Sequence, residues 1–202
     1  MSEYSLVQRE QGCAILELIS PDDTNKLGSA CILALRGQVE ELRTEAQAGR
    51  IKALIITGNQ KFFSAGADLN EIAKLSGPEA FEFSRRGQKL TDTVDRFPVS
   101  VIASIQGYCM GGGMDLALAC DYRLAAPNVV FGHRGASLGL ITGWGGTQRL
   151  ARLIGKPRAL QMFLLSEMVG AEEARRIGLV DKITDDPLRR AFEVASGLQA
   201  PG

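Results

Sequence analysis

Two kinds of hydrophobic pattern alternate along this chain. Ala53-Leu54-Ile55-Ile56-Thr57 is a continuous apolar run, and Val99 to Ile105 is another. Runs this short, without polar alternation, predict strands buried on both faces. Between Ser29 and Gln47 the spacing changes to that of a helix, with Ile32, Leu35, Val39 and Leu42 on one face and Gly49 ending it. Tyr4 to Gln8 and Cys13 to Ile19 predict a hairpin around Gln11-Gly12. The stretch Lys61 to Gly66 reads as a loop leading into a helix near Asp68. Gly77-Pro78 breaks that helix, and Pro78 starts another that ends near Phe97.

The second half continues the alternation. A helix is expected from Met114 to Cys120, then short strands at Tyr122 to Ala125 and Val129 to Phe131. After a glycine-studded loop come helices at Thr147 to Ile154, Pro157 to Ser166 and Ala171 to Ile177. A strand at Leu179 to Ile183 and a helix at Pro187 to Leu198 close the chain. Strands alternating with helices predict an α/β fold.

Composition narrows the function. The 202 residues are 45% hydrophobic and 23% charged, which suits one globular domain with at most an appendage and excludes a disordered or fibrous chain. Lys and Arg together number 23, as do Asp and Glu, so the basic excess typical of nucleic-acid binders is missing. A net charge of zero also means little self-repulsion, which suits an oligomer. His133 is the one histidine, so a multi-histidine metal site is excluded and any triad must use that imidazole. Cys13, Cys31, Cys109 and Cys120 form no Cys-x-x-Cys pair, and the start Met1-Ser2-Glu3-Tyr4 is not a signal peptide. The expectation is a cytoplasmic protein with free, buried thiols. The uncharged stretch from Phe97 to Met114 contains Pro98 and three consecutive glycines, so it reads as strand, turn and helix start rather than a membrane span.

Two segments share one design. In Phe63-Ser64-Ala65-Gly66-Ala67-Asp68 and in Gly107-Tyr108-Cys109-Met110-Gly111-Gly112-Gly113-Met114-Asp115, a buried strand ends, glycines follow and a helix begins. A helix start presents unpaired N–H groups and the positive end of a dipole, and two aimed at one point would hold an oxyanion. Triple glycine also serves plain strand–helix packing, and both readings stand on the residues alone. No phosphate-loop lysine or Gly-x-Gly-x-x-Gly spacing is present. Asp68 reads as a helix cap. Asp115 is different: it lies among Met114, Leu116, Ala117 and Leu118 in a helix that looks buried, where a carboxylate needs a partner. Gly135-Ala136-Ser137-Leu138-Gly139 matches a nucleophile elbow by letter, but that arrangement places its histidine after the serine and His133 precedes it.

These residues resemble the crotonase (enoyl-CoA hydratase/isomerase) superfamily. The segment ALIITGNQKFFSAGAD from Ala53 to Asp68 is similar to its first signature, and PVSVIASIQGYCMGGGMDLALACD from Pro98 to Asp121 to its central one. Gly143-Trp144-Gly145-Gly146-Thr147-Gln148-Arg149-Leu150 and the stretch Ala171 to Val180 resemble later ones, in register from about Ser20 to Asp181. The resemblance implies a crotonase-like spiral of ββα units, with residues 1–185 as core and 186–202 as a shortened C-terminal helical segment. It also implies an acyl-CoA thioester substrate, no cofactor beyond the coenzyme A of that substrate, no metal, nucleic-acid or membrane partner, and a homotrimer or dimer of trimers.

Residue by residue, it implies that the N–H groups of Ala67 and Gly112 hold the thioester oxygen and that Asp115 is the general acid/base. The Ala65 carbonyl would receive the adenine amino group. Asp23, Thr24 and Lys26 fall in the CoA-contacting segment, and Gly66, Asp68 and Gly135 in the substrate-binding segments. The chain departs from the family pattern at its C-terminal end, where family members usually continue through further helices, and in its carboxylates. Asp115 stands where hydratases carry a glutamate, and Gly135 stands at their second catalytic glutamate. His133 and Ser137 flank that vacated position. The expected activity is therefore hydratase/isomerase-like with Asp115 as the single carboxylate acid/base. Either His133 or Ser137 is a candidate to replace the missing group, His133 being the favoured helper if the reaction is a different one. A decarboxylase, hydrolase or dienoyl-CoA hydratase on the same fold, and a silent acyl-CoA-binding subunit, are the alternatives.

Overall fold

The computed structural model describes residues 3–197. The chain opens with the hairpin β1 (Ser5–Glu10) and β2 (Cys13–Leu18), then β3 (Lys26–Leu27) and the long helix α1 (Ser29–Gln47). Next come β4 (Ala53–Thr57), β5 (Phe62–Ser64), β6 (Gly66–Ala67), the single turn α2 (Leu69–Ile72) and α3 (Gly77–Asp95). The middle of the chain holds β7 (Ser100–Ile105), β8 (Tyr108–Met110), α4 (Gly112–Leu118), β9 (Tyr122–Ala125) and β10 (Val130–Gly132). A 3-10 turn over Ala136–Leu138 precedes α5 (Gly146–Ile154), α6 (Lys156–Leu164), β11 (Met168–Gly170), α7 (Ala171–Arg176), β12 (Lys182–Ile183) and α8 (Pro187–Gly197).

The topology is a spiral. A six-stranded sheet runs β1-β2-β4-β7-β9-β12, and a four-stranded sheet runs β11-β10-β8-β5. Each turn of the chain gives one strand to the large sheet and the next to the small one: β4 then β5, β7 then β8, β9 then β10. The neighbours β4, β7 and β9 are parallel, as are β5, β8 and β10. This is the crotonase-like succession of ββα units that the resemblance implied.

The uniformly apolar strands are explained by what covers them. Leu54 and Ile56 join the main core with α1 and α3, whereas Ala53 and Ile55 face a second cluster with Ile102, Leu124, Ala191 and Ala195. The second cluster is the seat of α8, whose two alanines let its backbone lie close to the sheet. Side chains alternate along a strand, so covering both faces demands apolar residues at every position.

Several boundaries differ from the sequence expectation. The stretch Lys61 to Gly66 contains β5 and part of β6 rather than a loop. Their side chains carry little periodicity because so few residues pair. The expected strand Leu179 to Ile183 contracts to Lys182–Ile183, and Leu179 and Val180 are core residues of the turn before it. The central helix starts at Gly112, two residues before Met114, since its glycines form the first turn. Of the expected last helix, Leu198 lies outside the described residues. All four cysteines are free and buried. Burial pushes the thiols of Cys31 and Cys120 up to about 12 and that of Cys109 well above its usual value, so they stay protonated at neutral pH. No described helix is long and apolar enough to cross a membrane.

Ile55 is fully buried between the sheet and α8. Truncation to alanine should cost about 2–5 kcal/mol of stability, measured as a shift of the urea midpoint. A shift within error would mean that α8 does not seal this face.

Candidate active site

The two glycine loops meet. Gly66 has φ of +90°, a conformation that glycine adopts without strain. A Cβ there would lie 2.5 Å from the Met110 carbonyl oxygen and 3.1 Å from the Gly112 amide nitrogen. Asp68 donates its N–H to the Leu27 oxygen at 3.4 Å. In that parallel register the preceding N–H, that of Ala67, points away from β3. Gly112 opens α4, where a helix has no internal acceptor for its N–H. Ala67 and Gly112 both line a cavity of about 680 Å³, a volume typical of small-ligand sites. The wall is mostly apolar, with Leu69, Ile72, Leu75, Phe83, Met110 and Trp144 prominent.

The polar groups come from three places. Asp115, in the first turn of α4, is 1% exposed. His133 follows β10, which is parallel to β8, and the Gly111 N–H donates to the Gly132 oxygen at 2.9 Å. That pairing brings His133 beside α4. Its Nε2 lies 3.0 Å from Asp115 Oδ1, yet the two are out of line for a hydrogen bond and neither atom has another hydrogen-bond partner among the described residues. Thr142 supplies the third group, donating its hydroxyl to Asp115 Oδ2. Two buried polar atoms with unused hydrogen-bonding capacity at a cavity wall are costly in a purely structural role. Together they can accept and return a proton.

Trp144 also lines the cavity. Its indole lies between helices α3 and α4, where a Cβ on either Gly87 or Gly112 would come within 2.2 Å of the ring. Phe83 packs against it at 5.5 Å between ring centroids.

The remaining sequence candidates divide into two groups. Ala65 and Gly135 line the cavity. Gly66, Asp23, Thr24, Lys26 and Asp68 do not. Asp68 caps α2, accepting the Asn70 N–H at 2.9 Å. Lys26 donates to Asp22 at 2.7 Å, and Thr24 and Ser20 donate to the same carboxylate, which is held well below its usual range. The loop is fixed next to β6, with the Ala65 N–H donating to the Thr24 oxygen and Asn59 Nδ2 to the Asp23 oxygen. Ser137 is turned away: its hydroxyl donates to the Arg134 oxygen at 2.7 Å within an exposed 3-10 turn. At Gly135 a Cβ would lie 2.7 Å from the Leu140 carbonyl oxygen, so the loop as it stands excludes a side chain.

The family model for enoyl-CoA hydratase/isomerase matches residues 8–198. The chain belongs to this family. Crotonyl-CoA hydratase of Syntrophomonas wolfei is 38% identical, over 90% of this chain and 69% of its own length. 2,3-Dehydroadipyl-CoA hydratase of Escherichia coli is 38% identical, over 97% of this chain and 75% of its own. Among solved structures, DspI of Pseudomonas aeruginosa superposes with a TM-score of 0.91 at 36% identity, covering 96% of this chain and 74% of that one. Enoyl-CoA hydratase of Bacillus anthracis does so with 0.90 at 32% identity, covering 96% and 75%. Within the family frame, sequence reading missed Thr142 and the role of Trp144. Trp144 lay inside a quoted signature, but only the packing shows what its ring touches.

Gly112→Ala should dislodge the indole. Because Trp144 is the chain's one tryptophan, its fluorescence reports this directly. The expected result is a red-shifted emission in a folded protein; an unchanged spectrum would show that the ring tolerates a methyl group there.

Proposed function

We propose that this protein is an acyl-CoA-processing enzyme of the enoyl-CoA hydratase/isomerase type, in which the Ala67 and Gly112 N–H groups receive the thioester oxygen. The observation that carries this reading is the buried Asp115–His133 pair, with its unpartnered Oδ1 and Nε2, on the wall of an apolar cavity that both amides also line. Polarising the thioester carbonyl acidifies the Cα protons and stabilises the enolate formed when a bond at Cα is made or broken. Each such donor contributes about 2.7–4 kcal/mol in a measured case. Asp115 and His133 then move the proton. In hydration, one group takes a proton from water as the oxygen bonds to Cβ, and a proton is delivered to Cα. In isomerisation, one proton leaves one carbon and returns to another. The apolar wall suits an aliphatic acyl tail.

The arrangement is not the two-glutamate one. Gly135 offers no carboxylate, and the Leu140 carbonyl leaves no room for one. His133, 3.0 Å from Asp115, supports the reading in which a carboxylate–imidazole pair takes over both roles.

Asp115→Asn should lower kcat by about 100-fold or more, the usual scale for an acid/base group, with KM for an unsaturated acyl-CoA nearly unchanged. Retained turnover would remove Asp115 from the chemistry. Product analysis in deuterated water separates a hydroxyacyl product from a shifted double bond.

Assembly of several copies belongs to the same reading. Ile141, Leu164 and Leu165 are 75%, 70% and 70% exposed, more apolar surface than an isolated chain favours. Sedimentation should show an oligomer that Leu164→Glu with Leu165→Glu weakens; a monomeric wild-type protein would refute this part.

A further inference from the structure

We infer that Thr142 is the positioning residue of this site: its hydroxyl fixes one oxygen of Asp115 so that the other is presented to His133 and the substrate. The inference rests on the reading above, in which Asp115 handles the proton. It concerns how a carboxylate on a short side chain is aimed.

A buried aspartate has two oxygens and one rotatable bond that exchanges them. If both were free, the carboxylate would have no preferred orientation toward the cavity. Here Oδ2 accepts from Thr142 and Oδ1 has no hydrogen bond. The asymmetry is set from outside α4, by the loop that leads into α5. That loop also limits where the carboxylate can go. A Cβ on Gly146 would lie 2.0 Å from Asp115 Oδ1, so the carboxylate rests directly against the backbone of the first residue of α5.

The loop is rigid enough to do this because α3 holds it. The Gly143 carbonyl oxygen accepts from Ser84 Oγ at 3.0 Å and from Gln88 Nε2 at 2.7 Å. The Trp144 carbonyl oxygen accepts from Thr91 Oγ1 at 2.8 Å and from Arg149 Nη1 at 3.2 Å. Arg149 reaches on to Asp92 at 2.9 Å and Asp95 at 3.3 Å. Two consecutive carbonyls are thus pinned next to Thr142, and the indole between them and α4 is wedged. With the hydroxyl delivered by a clamped backbone, Asp115 is held by a group that does not itself have to be ordered when substrate arrives. Such supported placement is what separates a productive acid/base group from one that is merely nearby.

The test uses variants of the intact protein. Thr142→Val keeps the shape and removes the hydroxyl; Thr142→Ser keeps the hydroxyl and removes the methyl. The expected result is a kcat reduced about 10- to 100-fold in Thr142→Val with KM within about twofold of wild type, and recovery of most of that loss in Thr142→Ser. Tryptophan emission two residues away shows whether the loop is still seated; if Thr142→Val does not fold, Thr142→Ala set against Thr142→Ser makes the same comparison. Wild-type kcat in Thr142→Val overturns the inference. Equal loss in the valine and serine variants also overturns it, because the methyl rather than the hydroxyl would then matter. A raised KM with unchanged kcat overturns it too, since Thr142 would then be a binding contact. Asp115→Asn tells the two failures apart: if that variant keeps its turnover, the underlying reading fails, whereas a dead Asp115→Asn beside a normal Thr142→Val defeats only the role of Thr142.

Discussion

Everything in the site depends on how closely helix α4 can approach its neighbours. The approach is possible because the residues in contact have no side chains. Gly112 lets α4 rest on the Trp144 ring, and Gly87 lets α3 close on the opposite side. Gly66 lets the start of β6 touch the turn before α4. Atoms in a packed interior leave no slack, so one methyl group at any of these contacts separates elements that must meet. The close approach puts an unpaired helix amide, a buried carboxylate and an imidazole on one wall of one cavity.

Asp115 shows how the fold manages a charge it has buried. A carboxylate removed from water is tolerated only when other groups take over the solvation. One oxygen is satisfied by Thr142, and the other lies 3.0 Å from His133 Nε2 without a formed hydrogen bond. The solvation is deliberately incomplete on the side that opens to the cavity. An incompletely solvated group gains most from an incoming partner, so under the proposed function the residual cost of burial would favour contact with the reacting atoms.

Much of this was legible in the sequence, for identifiable reasons. Strand β4 was plain because burial on both faces leaves an unbroken apolar run, and α1 because nineteen residues give its stripe several repeats. Asp115 stood out as a charge in apolar surroundings. The two-residue strands β3 and β6 were not legible, since two residues cannot display a period. Nor was Thr142, a common residue in a loop whose importance comes from one long-range hydrogen bond across 27 positions. The resemblance located Gly135, but not that the neighbouring Leu140 carbonyl fills the space a side chain would need.

That last contact also sets what a side chain grafted onto this loop would meet. The main chain at Leu140 lies over the place where a Cβ on Gly135 would stand. A single change to glutamate would meet a main-chain oxygen, which cannot rotate aside as a side chain can. A carboxylate could be installed there only together with a rebuilt loop, so the backbone as well as the side chains defines which groups this cavity can present.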